Sequence, residues 1–230
     1  DKAEYRSASV SADLCRAGYV VVSCNYRLGP VTTAAVWPQN IADCRNAVRW
    51  VRAHAKELGV NPDKIAVAGG SAGGYLALMV GLSDDKTGPG GDPAAKHSAK
   101  VSAVIDMYGV VNFAKRGKGE VPGTSPAEQA AYFPESQCDA QDPAVLILHG
   151  TADSTVDIAQ SDDMAKALRS AKVSHEYIVV EGAPHTFDLH PKGKSWKRTG
   201  VIAGAEVSSA SDKPDLTEAT LDFLARTIGK

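Results

Sequence analysis

Hydrophobic positions along the chain alternate between a spacing of two residues and one near 3.6, the marks of strand and helix. Residues 4–17 read as a helix that Gly18 closes. YVVVSCN, 19–25, is short, apolar and rich in β-branched residues, which predicts a buried strand. Pro38 opens a long helix running to about Leu58, with Ile41, Cys44, Val48 and Val51 forming an apolar stripe and Gly59 ending it. IAVAGG (65–70) predicts a strand, followed at once by a helix over 72–82. Residues 84–98 are loop by composition. Further strands are predicted at 101–109, 144–150 and 175–182, with a helix over 157–171. Residues 111–142 hold no sustained period and read as a lid or an irregular excursion over a site. Residues 186–213 are polar and weakly patterned, and from Pro214 the chain ends in a helix with Leu216, Thr220, Phe223 and Leu224 on one face.

Strands that are apolar throughout and alternate with helices imply an α/β fold, a mostly parallel sheet covered by helices on both faces. With 230 residues, one domain spanning 1–230 is expected. The ligand site of such a sheet lies beyond the carboxyl ends of its strands, so residues just after each strand are the candidates for chemistry. The uncharged stretch 65–82 is long enough to cross a membrane, but its central glycines and serine divide it into two short elements, and no membrane span is expected.

Composition narrows the partners. A net charge of −2 and a pI near 6.3 argue against nucleic acid or an anionic membrane. The densest basic stretch, Lys192, Lys194, Lys197 and Arg198, reads as a solvated loop. Cys15, Cys24, Cys44 and Cys138 show no CxxC spacing and no histidine at metal-site spacing, so no zinc site is expected; the serine chemistry read below needs neither metal nor organic cofactor. Small buried thiols are the plain reading, with a Cys15–Cys24 bridge as the alternative.

Directly after the strand 65–70 stands Gly69-Gly70-Ser71-Ala72-Gly73, a G-x-S-x-G motif. A strand turning at once into a helix strains the serine, and glycines at 69 and 73 are expected to relieve crowding there. The turn lifts the Ser71 hydroxyl above the sheet and leaves the Ala72 N–H at a helix N-terminus, aimed where an oxyanion would form. The serine needs a base. Of six histidines, His185 in GAPHTF follows a strand at its carboxyl end, whereas His149 ends a strand, where a structural hydrogen bond fits better. The base needs a carboxylate; Asp153 lies just past the strand 144–150, and Asp157 falls where a helix cap belongs. Trp37 is either a wall of the substrate pocket or a core residue, and Phe187 a pocket wall or loop packing. Tyr26 and Arg27 are weaker candidates to support the nucleophile loop, with an ion pair to a carboxylate favoured for Arg27.

NYRLGP (25–30), WPQNIADCRNAVRWVRAHA (37–55), IAVAGGSAGGYLA (65–77), ILHGTADSTV (147–156) and EGAPHTF (181–187) together resemble the acetyl-esterase and hormone-sensitive-lipase-like branch of the α/β-hydrolases, the acetyl xylan esterases among them. The resemblance covers most of residues 1–187. It implies a serine carboxylesterase that hydrolyses short-chain, acetyl-type esters, often of sugars, through an acyl-enzyme. It puts the triad on Ser71, Asp153 and His185, and leans toward export over a cytoplasmic location. Members of the branch carry an upstream HGG-type motif that supplies the second oxyanion donor. These residues contain none, which suggests a family member shortened at its N-terminus; losing one such donor typically costs about 10²–10³ in kcat. The rival readings are a peptidase of the prolyl-oligopeptidase type, a catalytically impaired fragment acting as a binding module, and a long-chain lipase.

Overall fold

The computed structural model describes residues 5–29, 37–83, 96–116 and 125–229. Its elements run α1 (Tyr5–Arg16), α2 (Trp37–Ala53), α3 (Ala55–Leu58), β1 (Ala66–Gly70), α4 (Ala72–Leu82), β2 (Ala103–Met107), α5 (Phe113–Arg116), α6 (Pro126–Ala130), a 3₁₀ turn at Pro134–Ser136, β3 (Ala144–Gly150), α7 (Ala159–Ser170), β4 (His175–Val180), β5 (Trp196–Ile202), β6 (Ala205–Ser211) and α8 (Thr217–Thr227).

The six strands form one sheet in the order β1-β2-β3-β4-β5-β6. The first four are parallel, and β5 and β6 continue the sheet antiparallel. Alternate residues of the central strands feed two cores. Ile105, Met107, Leu146, Leu148, Ile178 and Val180 meet Leu14 of α1 and Phe223 and Leu224 of α8 on one face. Val104, Val145, Ile147 and Tyr177 meet Leu78 and Leu82 of α4 and Met164 and Leu168 of α7 on the other. Two-sided burial explains why these strands read as unbroken apolar runs. Each fully buried Leu, Ile or Val contributes about 1.5–3 kcal/mol. Helix α4 is apolar all round because it lies between the sheet and α2, buried from Gly74 through Val80. It is 11 residues long, and among the described residues no helix is long and apolar enough to cross a membrane.

Three expectations need correction. The segment 19–25 is neither a strand nor buried: Val20 and Val22 are 53% and 42% exposed, and only Tyr19 and Val21 lean on the core. Its β-branched composition suits a strand, but a strand also needs a ladder partner, and it has none among the described residues. The helix expected over 38–58 breaks at His54, whose ring Nδ1 bonds the Trp50 carbonyl at 2.8 Å; Gly59 then caps α3 in the left-handed region at φ 67°. The polar stretch 186–213 contains the β5–β6 hairpin. Its two-residue turn, Ala203-Gly204, has positive φ at both positions, as the favoured hairpin turns require. Of the excursion at 111–142, the described parts are short helical turns fastened to α7, where the Gln160 side chain accepts from the Val111 and Asn112 amides. Part of that excursion, 117–124, and most of the expected 84–98 loop lie outside the described residues.

Beneath the N-terminus of α4, Asp106 is fully buried. One carboxylate oxygen accepts from the Gly109 amide at 3.0 Å, and the other has no partner. Burial pushes this carboxyl up to about 7 from an ordinary 3.8, against the opposing effect of the Gly109 hydrogen bond. A raised acid favours folding in its protonated form, so its contribution is complete below pH 4 and is lost as pH rises toward 7. Asp106→Asn, which mimics the protonated group, is therefore expected to lose less stability between pH 5 and pH 8 than the parent, by on the order of a few kcal/mol. Urea melts at both pH values check this, and parallel losses in the two proteins would refute it.

Candidate active site

Three loops at the carboxyl ends of β1, β3 and β4 meet above the sheet. The first is the β1–α4 turn. Ser71 takes φ 55° and ψ −118°, a conformation that side chains rarely adopt and that costs on the order of 1–3 kcal/mol. It is held by its own N–H, which donates to the Met107 carbonyl at 2.9 Å, and by its carbonyl, which accepts from Tyr75 at 3.1 Å. Ala72 follows as the first residue of α4, where helical geometry leaves the N–H without an intrahelical acceptor.

The glycines work less symmetrically than the motif suggests. A Cβ on Gly69 would overlap the Gly73 carbonyl, so Gly69 is required. A Cβ on Gly73 would meet nothing, contrary to expectation, because it is the Gly73 backbone and not its Cα hydrogens that fills the gap. Gly70 is crowded too, against the Tyr108 ring, and so is Gly74, outside the motif, against Asp106 and Gly109.

The other two loops are locked together. A Cβ on Gly150 would collide with the Ala183 carbonyl, which accepts from the Ala152 amide at 3.0 Å. The Gly182 amide donates to Thr151 Oγ1 at 2.9 Å. Across this junction His185 Nδ1 lies 2.6 Å from Asp153 Oδ2, and its Nε2 lies 3.0 Å from Ser71 Oγ. The His185 side chain is 12% exposed and that of Asp153 is shielded completely. Burial alone pushes the Asp153 carboxyl up, but hydrogen bonds from His185 and from the Val156 and Thr155 amides outweigh it and hold it below the usual range. Asp153 is thus an anion with both oxygens engaged.

His149 is a second support for Asp153. It is fully buried, and burial pushes its pKa down, so the ring is neutral. Nε2 lies 3.0 Å from the Val156 carbonyl and 3.2 Å from Asp153 Oδ2, while Nδ1 lies 2.7 Å from Ser161 Oγ. A neutral imidazole has one donor, so Nε2–H faces the two oxygens and Nδ1 accepts from the serine. The structural hydrogen bond expected of His149 is present. The cap position of α7 falls on Ile158 and not on Asp157 as expected, but Asp157 accepts from the Ala159 amide at 2.9 Å just before the helix. Arg27 pairs with Asp43 through Nε and Nη2, at 2.7–3.1 Å, and reaches Gln39.

Tyr108 was not singled out from sequence. It follows β2 at φ 46°, and its hydroxyl donates to the Phe187 carbonyl at 2.8 Å. Its ring stands edge-on to His185 and to Phe187, each 4.9 Å away between centroids. The signal that would have found it is its position just past a strand, the rule that located Asp153 and His185. Phe187 itself is buried in the core beside Tyr108. The Trp37 side chain lies outside the described residues.

A sheet of this order, with a serine at the strand–helix elbow and the acid and histidine on later loops, defines an α/β-hydrolase. The BD-FAE family model matches residues 1–168, and the chain belongs to that family. It is 33% identical over 189 residues to the esterase LipQ of Mycobacterium tuberculosis, covering 75% of this chain and 44% of that protein. A truncated form of a carbohydrate esterase from gut microbiota superposes with a TM-score of 0.66 at 26% identity, covering 80% of this chain and 73% of the other. An acetyl ester-xyloside bifunctional hydrolase from Caldicellulosiruptor lactoaceticus gives 0.62 at 26% identity, covering 72% and 62%. The chain spans about half the length of the curated relatives it matches.

The glycine asymmetry makes a paired prediction. Gly69→Ala is expected to destabilise the fold by ~3 kcal/mol through overpacking, while Gly73→Ala stays within about 1 kcal/mol of the parent. Chemical denaturation of the two variants checks this; equal losses would contradict it.

Proposed function

We propose that the protein is a serine carboxylesterase acting on short-chain, acetyl-type esters, with Ser71 as nucleophile, His185 as base and Asp153 as its carboxylate. The observation that carries this reading is His185 bridging the Ser71 hydroxyl and the Asp153 carboxylate through its two ring nitrogens, at 3.0 and 2.6 Å.

The chemistry follows from that bridge. With Nδ1–H donating to Asp153, Nε2 is left as the acceptor facing Ser71. It takes the hydroxyl proton as Oγ attacks the ester carbonyl. The Ala72 N–H, at the positive end of α4, donates to the oxyanion. His185 then gives its proton to the departing alcohol oxygen, leaving an acyl group on Ser71. Water enters, loses a proton to Nε2 and attacks the acyl carbon. The carboxylic acid leaves as Oγ recovers its proton. Asp153 remains ionised throughout and stabilises the imidazolium. The proposed partner is therefore a small-molecule ester. The names of the two structural neighbours, one a carbohydrate esterase and one an acetyl ester-xyloside hydrolase, support acetylated sugars as the class to test first.

Ser71→Ala is expected to lower hydrolysis of p-nitrophenyl acetate by about 10⁴-fold or more and to abolish labelling by a fluorophosphonate probe, with the fold retained. The parent is expected to prefer acetate to octanoate esters. A Ser71→Ala variant with the parent's rate would overturn the nucleophile assignment, and preferential cleavage of proline-containing peptides would favour a peptidase.

Tyr108 is proposed as a positioning residue for the base. Tyr108→Phe removes the bond to Phe187 while keeping the ring, and is expected to lower kcat about tenfold with KM little changed. A rise in KM at constant kcat would instead make Tyr108 part of the substrate pocket.

A further inference from the structure

The proposed hydrolysis gives no task to His149 or Ser161, yet both are fully buried next to the triad. His149 lies on β3 and Ser161 in the first turn of α7. Ser161 Oγ is 2.7 Å from His149 Nδ1, and His149 Nε2 is 3.2 Å from Asp153 Oδ2. The same Oδ2 is 2.6 Å from His185 Nδ1, and His185 Nε2 is 3.0 Å from Ser71 Oγ. One line of polar atoms therefore runs from α7 to the nucleophile, and Oδ2 stands between two imidazoles. The other carboxylate oxygen, Oδ1, is taken by the Thr155 and Val156 amides.

We propose that His149, held by Ser161, is a positioning residue of the reaction, a role that rests on Ser71, His185 and Asp153 being its triad: it restrains Asp153 Oδ2 in line with His185 and sets how readily that base takes a proton. The neutral His149 ring has one N–H to place. On its Nε2 side stand two acceptors, the Val156 carbonyl at 3.0 Å and the Asp153 carboxylate. On its Nδ1 side stands a hydroxyl, which can donate or accept. A bare Nε2 would set its lone pair against both oxygens, so the proton sits on Nε2 and Ser161 donates to Nδ1. Ser161 is itself fixed, its N–H donating to the Ile158 carbonyl at 2.9 Å.

Two effects follow from a donor on Oδ2. The amides hold only Oδ1, so rotation of the carboxylate is opposed at Oδ2 by the two rings alone. His185 changes charge within each cycle, whereas burial keeps His149 neutral, which gives Oδ2 a partner that stays the same throughout. The second effect is electrostatic. The His149 N–H takes up part of the negative charge that stabilises the His185 imidazolium. The titratable groups facing His149 are Asp153 and, across the shared oxygen, His185.

The test compares His149→Phe, His149→Gln and Ser161→Ala in the full chain, with active sites counted by fluorophosphonate labelling so that unfolded protein does not enter kcat. His149→Phe keeps the bulk of the ring and removes both nitrogens. It is expected to lower kcat for p-nitrophenyl acetate about tenfold with KM little changed, and to move the acid limb of the kcat/KM profile up by roughly half a pH unit. The sign comes from the lost donor: Oδ2 keeps its full charge, the imidazolium gains, and the base is protonated at higher pH. His149→Gln restores an amide N–H on the Oδ2 side and is expected to recover most of kcat and of the limb. Ser161→Ala is expected to move the limb the same way by less, and it decides the matter if His149→Phe does not fold. An acid limb that stays in place or moves down, or no recovery in His149→Gln, would overturn the proposal. In the parent carrying ¹⁵N-labelled histidine, ring NMR is expected to find the His149 proton on Nε2, and a proton on Nδ1 would overturn it equally. That spectrum needs no turnover. A parent that hydrolyses no ester and leaves Ser71 unlabelled would sink the triad itself, whereas Ser71-dependent turnover with an unmoved limb would sink the role of His149 alone.

Discussion

At Gly150 and Ala183 two backbones come so close that no side chain fits between them, and the rest of the site depends on that contact. The loops after β3 and β4 carry Asp153 and His185 respectively. Joined by the Ala152 amide and the Thr151 hydroxyl, they are tied to each other, so the carboxylate and the imidazole are presented together. The parallel register of β1 through β4 then brings the piece to the same edge as the Ser71 turn. In the proposed reaction a positioned base matters because a serine hydroxyl is a poor nucleophile without one, and misplacement by an ångström can cost about 10²-fold.

The polar interior around this edge is arranged to keep one charge buried. Asp153 is shielded from solvent yet stays ionised, since His185, two amides and the neutral His149 surround it with donors. Asp106, one strand away, shows the opposite outcome. It too is buried, but a single amide is too little to hold its charge, and the carboxyl is raised toward neutrality. The number of hydrogen-bond donors and the depth of burial together separate the two acids.

The segment 19–29 is fastened differently from the rest of the molecule. Where β2, β3 and β4 are fixed by ladders and by cores on both faces, this stretch is fixed by side chains: Arg27 on Asp43 and Tyr26 on the cluster around Tyr75.

The sequence alone fixed what depends on local chemistry. Apolar runs set β1 through β4, the G-x-S-x-G turn set Ser71, and the rule that chemistry follows strand ends picked out Asp153 and His185. Each is a property of a few neighbouring residues, so each was legible. What escaped was non-local. Whether YVVVSCN becomes a strand depends on a partner, not on its β-branched residues. The β5–β6 hairpin is polar and half-exposed, and its strands pair through backbone bonds that leave little hydrophobic trace. Tyr108 and His149 support groups far from them in sequence, and Gly73 turned out roomy while Gly74 did not. Only the folded chain decides which distant atoms come within hydrogen-bonding or van der Waals reach, since those distances are set by sheet register and packing and not by spacing along the chain.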